Sequence, residues 1–419
     1  MRKILFSNIA TENMNSAVTT GLISLEEEQI LLNEASDLGN AVSNDLAEVD
    51  RLAETSDVLD DLAVIADSIE KATPAETDLI DAVGSMAVTG TDIPSEEVVP
   101  AMESFVGKKI ATESFSAKAK TIWENIQKFL KKIWDNITLF FKKMFATLPN
   151  TKKRLAELQE KTKSLSGKNN ESSITISAGT SFMCQHKRAP KDSKEYLRFF
   201  TSLIGVNETV FFGQAKTIEE IGKVIATGID GFKPNNPGSS VLDFITNFEK
   251  AAEKLKLPVT PFTFIGNGTL ESSNPTDTDD GKDILHTLSL GLKYGITFST
   301  SKESAPDSIE IKSLTETEIH SVIKYAQDAL EKIEQFETNY SKKLEEIGTS
   351  IKKASDKAAA AFKTSEPTKE SEALFRAVLN YNQVYAKLVS GCNTKLISHN
   401  FSCINVMMMV VNKSLAGYK

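Results

Sequence analysis

Cysteine and histidine are both scarce in this chain of 419 residues: Cys184, Cys392 and Cys403, then His186, His286, His320 and His399. Three cysteines without C-x-x-C spacing exclude a disulfide framework and fit a reducing compartment. The histidines form no H-E-x-x-H pair, and His320 with Lys324 reads as a solvated helix face. Cys184 and His186 stand close, but no second pair completes a metal site; a buried thiol beside a surface histidine is the expectation. Long apolar runs are missing too. Ile404 to Val411 is brief and broken by Asn405, short of a bilayer span. Behind Arg2 and Lys3 only Ile4, Leu5 and Phe6 precede Ser7, too little for a secretory signal. A soluble or at most interfacial protein is expected.

Catalytic signatures are absent as well. No G-x-S-x-G elbow is present. Gly266-Asn-Gly268 lacks the third glycine and the Lys-Ser/Thr that cradle phosphates. Asp277-Thr-Asp279-Asp280-Gly281 suggests a calcium loop, but the twelfth position is Leu288, or Thr287 when counted from Thr276, where glutamate is needed. No catalytic residue, cofactor, metal or small-molecule substrate is expected.

What the chain does have is charge, unevenly placed. Residues 1–113 hold 6 Lys/Arg against 23 Asp/Glu, a balance of −17, while the remaining 42 Lys/Arg and 34 Asp/Glu give +8. The overall −9 hides an acidic leader joined to a basic body. An acidic segment of this kind can mask a basic one. The leader is also poor in aromatics, with Phe6 alone in the first hundred residues. Its leucines and valines (Leu22, Leu25, Leu31, Leu38, Val42, Leu46, Val49, Leu52, Leu59, Leu62) recur at helical steps. These predict marginal acidic helices that need a partner. Pro94 and Pro100 mark an exposed linker over 90–100.

The most amphipathic stretch follows at once. From Lys118 to Phe145, Trp123, Phe129, Trp134, Phe140 and Phe141 keep one apolar helical face, and Lys128, Lys131, Lys132, Lys142 and Lys143 lie largely opposite. Three readings stand: a core helix, an interfacial helix with its aromatics at the lipid headgroups, or a helix for a partner groove of the kind that accepts basic amphipathic helices. The lysines also suit non-specific contact with DNA phosphates. Pro149 predicts a break, with a second helix over 152–165.

The middle changes character. Residues 173–177, 209–212, 261–265, 288–300 and 308–311 read as strands, residues 218–226 and 241–255 as helices, and 271–283 as a mobile loop. Helical period returns from Thr315 to Ile351, then over 371–388 and 395–415, with Glu366-Pro367 between. The expected fold is α+β and predominantly helical. Its parts are an acidic helical segment (1–113), basic amphipathic helices (114–170), an α+β unit (171–313) and a C-terminal helical region (314–419). The flanks would close a helical bundle, with the inserted mixed unit protruding.

At the charge reversal stand Ala101-Met-Glu-Ser-Phe105 and Ala111-Thr-Glu-Ser-Phe115, one string repeated ten residues on. Short small-x-Glu strings recur through the chain, so position gives these two their weight. With the acidic leader before them and the Trp/Phe/Lys helix after, the layout of residues 1–168 resembles the internal head proteins of phiKZ-like giant bacteriophages. The resemblance implies a virion protein, not an enzyme, whose acidic propeptide directs it into the prohead. There the phage prohead protease cuts after Ala/Ser-x-Glu; the mature protein stays with the packaged DNA, and some members leave with the genome. On this sequence that puts scission after Glu113 (site Ala111, Thr112, Glu113, Ser114), with a first cut after Glu103 (site Ala101, Met102, Glu103, Ser104). The implied partners are the protease and other capsid or inner-head proteins, with non-specific DNA and a membrane surface as further candidates. The implied location is the capsid interior, with the host cytoplasm during assembly and after ejection. Two alternatives remain: a membrane-active effector working through 118–145, and a purely structural, scaffold-like capsid component.

Overall fold

The computed structural model describes residues 25–68, 73–89, 108–165, 169–170, 172–231, 238–255, 262–273, 295–300, 305–364 and 369–418. Two long helices dominate: α1 (Leu25–Ser68) and α3 (Lys108–Lys163), with the short α2 (Pro74–Val88) folding back on α1. The α1 apolar stripe predicted from the leucines is buried through Val42, Leu46, Val49, Leu52, Leu59 and Leu62. Its partner is α3, packed along it.

Pro149 does not end α3. A proline removes one intrahelical hydrogen bond, yet its flanks are held: Leu148 and Thr151 are buried, and the Thr147 and Thr151 hydroxyls donate to the carbonyls of Met144 and Thr147 at 2.7 and 3.1 Å. Packing on both sides outweighs the local break.

The mixed unit is tied at its base. Strand β1 (Ser173–Ile176) pairs antiparallel with β5 (Ile309–Lys312), Ser173 opposite Lys312, so the chain leaves where it entered. Between them lie α4 (Ser193–Val206), a π-helical turn at 207–212, α5 (Ala215–Gly231), α6 (Gly238–Ala252) and the antiparallel sheet β2 (Phe262–Phe264), β3 (Gly268–Ser273), β4 (Gly295–Thr300). Three differences from the sequence reading stand out. Residues 209–212 are helical rather than a strand, because Val210 and Phe211 are buried on one side, Phe211 against Phe336 at 4.9 Å; tertiary contact overrides β propensity. Helix α4 was not expected. Residues 271–273 belong to β3 rather than to the expected loop, and 274–294 lie outside the described residues.

Nor does the unit protrude. Helix α5 packs on the C-terminal helices, and Phe244 and Phe248 of α6 meet Tyr381 edge-on at 4.7 and 4.9 Å. One contiguous apolar core runs through the flanks and the insertion. The C-terminal region is α7 (Glu316–Phe336), α8 (Lys342–Thr364), α9 (Lys369–Val389) and α10 (Lys395–Ala416), with π-helical turns at 337–341 and 390–394 joining α7 to α8 and α9 to α10. Asn207 and Asn400 exchange reciprocal amide hydrogen bonds at 2.7 and 2.9 Å, locking a π-helical turn of the insertion to α10.

The small sheet sits on α10 through His399. Its Nε2 lies 2.7 Å from the Ile265 carbonyl, and Phe182, Phe264 and Phe298 surround the ring at 5.2 to 5.6 Å. Burial pushes its pKa down to about 4, against the Ile265 hydrogen bond, so at neutral pH the uncharged ring donates from Nε2. Gly266 makes the close approach feasible: its φ is +82°, and a Cβ there would lie 2.3 Å from the His399 ring. The Gly-Asn-Gly string is this hairpin turn.

Candidate functional site

The feature that gathers the charged residues is the seam between acidic α1 and the basic helices beneath it. Among the described residues, five carboxylates of α1 reach across. Glu28 meets Arg154 at 2.6 Å and accepts from the Thr151 hydroxyl at 2.9 Å; Asp45 meets Lys132 at 2.8 Å; Asp50 meets Lys387 at 2.6 Å and accepts from Gln383 at 2.7 Å. Glu34 pairs with Lys143, and Asp60 with Arg376. From Glu28 to Asp60 this is a ladder of about 48 Å at 1.5 Å per residue. Its cations come from α3 and α9. Glu28 and Asp45 are almost fully buried; the other three carboxylates are partly exposed. Where α1 begins, Glu28 and Arg154 line an open cleft of about 540 Å³ against α10.

The aromatic face of α3 lies under this ladder and against the C-terminal helices. Trp123, Trp134, Phe140 and Phe141 are buried. The Trp134 indole donates to Asn382 Oδ1 at 2.7 Å and tilts against Tyr385; the Arg376 guanidinium sits 5.4 Å over the Trp123 ring. Phe141 touches Phe336 and stacks on Phe145. Phe129 is half-buried with the Lys132 ammonium over its ring. In this fold the face is core, and lipid could meet these rings only after α3 parted from its neighbours.

The lysines divide three ways. Lys132 and Lys143 bind the acidic helix; Lys131 pairs instead with Asp356 of α8 at 2.6 Å; Lys128 and Lys142 are exposed, Lys128 bonding Asn125. The sequence reading missed Arg154, Arg376 and Lys387, and all five carboxylates. The carboxylates carried a signal: Glu34, Asp45, Asp50 and Asp60 each stand one residue from a buried apolar position (Ala35, Leu46, Val49, Leu59), the flank of a helix seam.

Of the two duplicated strings, Ala101, Met102, Glu103 and Ser104 lie outside the described residues, as does the 90–100 linker. Ala111, Thr112, Glu113 and Ser114 fall in the first turns of α3. Cys184 is buried and His186 exposed, as expected, and His320 is an exposed helix residue near Glu316. Among the described residues no cluster of metal-binding side chains exists, and no helix is long and apolar enough to cross a membrane.

The family model for phiKZ-like phage internal head proteins matches residues 37–413. The chain belongs to that family. This internal head protein is thus a structural component of the phage virion, inside the head and associated with other capsid components. The match begins within α1, so it takes in most of the acidic segment as well as the body. No curated protein and no solved structure matches the chain.

Proposed function

We propose that this internal head protein is made as a proprotein whose acidic segment masks a polyanion-seeking body during assembly. The prohead protease then cuts after Glu113, and after Glu103 in a first step, and the body stays with the packaged DNA and leaves with it. The observation that carries this reading is the carboxylate ladder of α1, which occupies five cations of α3 and α9 at once. Neutralised cations cannot release counterions from DNA, so the covered protein binds it weakly and the uncovered one binds in a salt-dependent way. Because residues 111–114 are helical, scission there requires the first turns of α3 to open locally, a low-cost event at a helix end. Nothing in this role calls for catalysis.

A second reading, a purely structural component that keeps its acidic helix, draws on the burial of that helix and on a family match that starts at residue 37. Mass spectrometry of purified particles separates the two. The first expects a mature chain beginning at Ser114, retained at full length when Glu103→Ala and Glu113→Ala are combined. An intact Met1 in finished particles defeats it.

A further inference from the structure

Helix α2 is two-faced. One face holds it to α1: Ile80 and Gly84 are buried, Val83 and Ala87 half-buried, and the Thr55 hydroxyl donates to the Ala87 carbonyl at 3.0 Å. The other face carries Ala75, Leu79, Ala82 and Met86, all exposed, with Leu79 at 64% and Met86 at 75%. Steps of four, three and four residues are the spacing of a helix–helix seam. The register that sets Thr55 against Ala87 brings Val64 and Ile65, exposed at 64% and 46%, level with the first turns of α2. Leu79 and Met86, two turns apart on this one stripe and both exposed, mark a docking face rather than single scattered apolar residues. A capping box between Thr73 and Glu76 fixes the start of the helix, so the stripe is already formed.

The rim decides the occupant. Residues 52–88 contain nine Asp/Glu and a single Lys/Arg, Lys71, a balance of −8. Glu54, Asp61, Glu76 and Asp78 are exposed there. A second copy of the same seam would set carboxylates against carboxylates. We infer that the outward stripe of α2 docks a cationic amphipathic helix of another capsid component: apolar seam on apolar seam, lysines or arginines on the acidic rim. The inference uses the association with capsid components that the family carries and is independent of leader scission. An intact N-terminus in particles would remove the scission reading and leave this one standing.

The test uses the full-length protein and a labelled synthetic helix of about three heptads, leucine at the seam and lysine on the flanks. A control peptide carries glutamate for every lysine. Fluorescence anisotropy at about 0.15 M salt, where loose surface attraction is screened, should show binding of the lysine peptide alone. Leu79→Ser with Met86→Ser should weaken it about tenfold or more with an unchanged circular dichroism spectrum and melting temperature, since both side chains are exposed. Equal binding by wild type and variant would reduce the contact to unspecific charge attraction and overturn the inference, as would no binding. A wild-type mass doubled in light scattering and restored to one copy by the variant would make a second copy the occupant, and also overturn it.

Discussion

What holds the acidic helix down can be tested by removing apolar contacts and charges separately. Helix α1 buries Val42, Leu46, Val49, Leu52, Leu59 and Leu62 to 7% exposure or less. At about 1.5–3 kcal/mol per buried Val or Leu, this contact outweighs partly exposed ion pairs at about 0.5–1 kcal/mol each. Leu52→Ala with Leu59→Ala leaves two cavities and should loosen α1 by about 4–10 kcal/mol. Asp50→Asn with Asp60→Asn keeps the volume and should cost about 1–3 kcal/mol, the larger figure because Arg376 is mostly covered. Hydrogen exchange read over residues 122–145 of α3 reports the docking directly. The leucine pair should raise exchange there and admit an apolar dye, while the aspartate pair stays near wild type. Salt at 1 M, which shrinks the screening length to about 3 Å, should likewise leave α1 in place. If the aspartate pair exposes α3 as fully as the leucine pair, docking is electrostatic and the apolar contact does not hold α1.

His399 supplies a pH test. Its folded pKa of about 4 lies below the unfolded 6.5, so the unfolded chain binds the extra proton, and the stability present above pH 6.5 is lost as pH falls toward 4. Wild type should therefore lose about 2.5 kcal/mol relative to His399→Phe between pH 7.5 and 4.5, measured by urea unfolding at both pH values; parallel losses would show that the ring does not titrate on unfolding. Gly348 supplies a packing test. A Cβ there would lie 2.6 Å from Trp134, whose ring is pinned by Asn382 and Tyr385, so Gly348→Ala should destabilise by about 1–3 kcal/mol and shift tryptophan fluorescence, while an unchanged melting temperature would mean the ring has room to move.

Periodicity was legible where a regular helix keeps its apolar face to the core and its other face to solvent. The leucines of α1, the aromatics of α3 and the repeat from Ile319 to Ile351 all read as helices and are helices. It was less legible where the chain is buried on several sides. Asn207 to Phe212 carries β-formers, yet Asn207 is locked to Asn400 and Phe211 rests on Phe336, contacts far off in sequence. Pro149 carries a break signal that packing cancels. The amphipathic segment shows why the site was half-read: composition gives an apolar face and a basic face but not their partners. Arg376 and Lys387 lie more than 300 residues from the carboxylates they meet, and no local pattern announces a contact at that range.

Cutting the chain and releasing the acidic helix are separate events. Before scission α1 is tethered to α3 through α2 and residues 89–107, which keeps it at high effective concentration beside its own groove. The proposed scission after Glu113 would abolish that tether but would touch none of the six buried Val and Leu side chains and none of the five ion pairs. The freed helix therefore stays docked until something displaces it. A simple salt competes poorly, because the dominant contact is apolar and apolar burial is not screened. DNA phosphates can take several cations of one chain together, and Lys132, Lys143, Arg154, Arg376 and Lys387 are lined up along the helix they bind, but this removes only the ion-pair share of the contact. In the proposed maturation, then, the apolar face of α1 must open first; proteolysis makes that opening irreversible, and phosphates holding the freed cations keep it open.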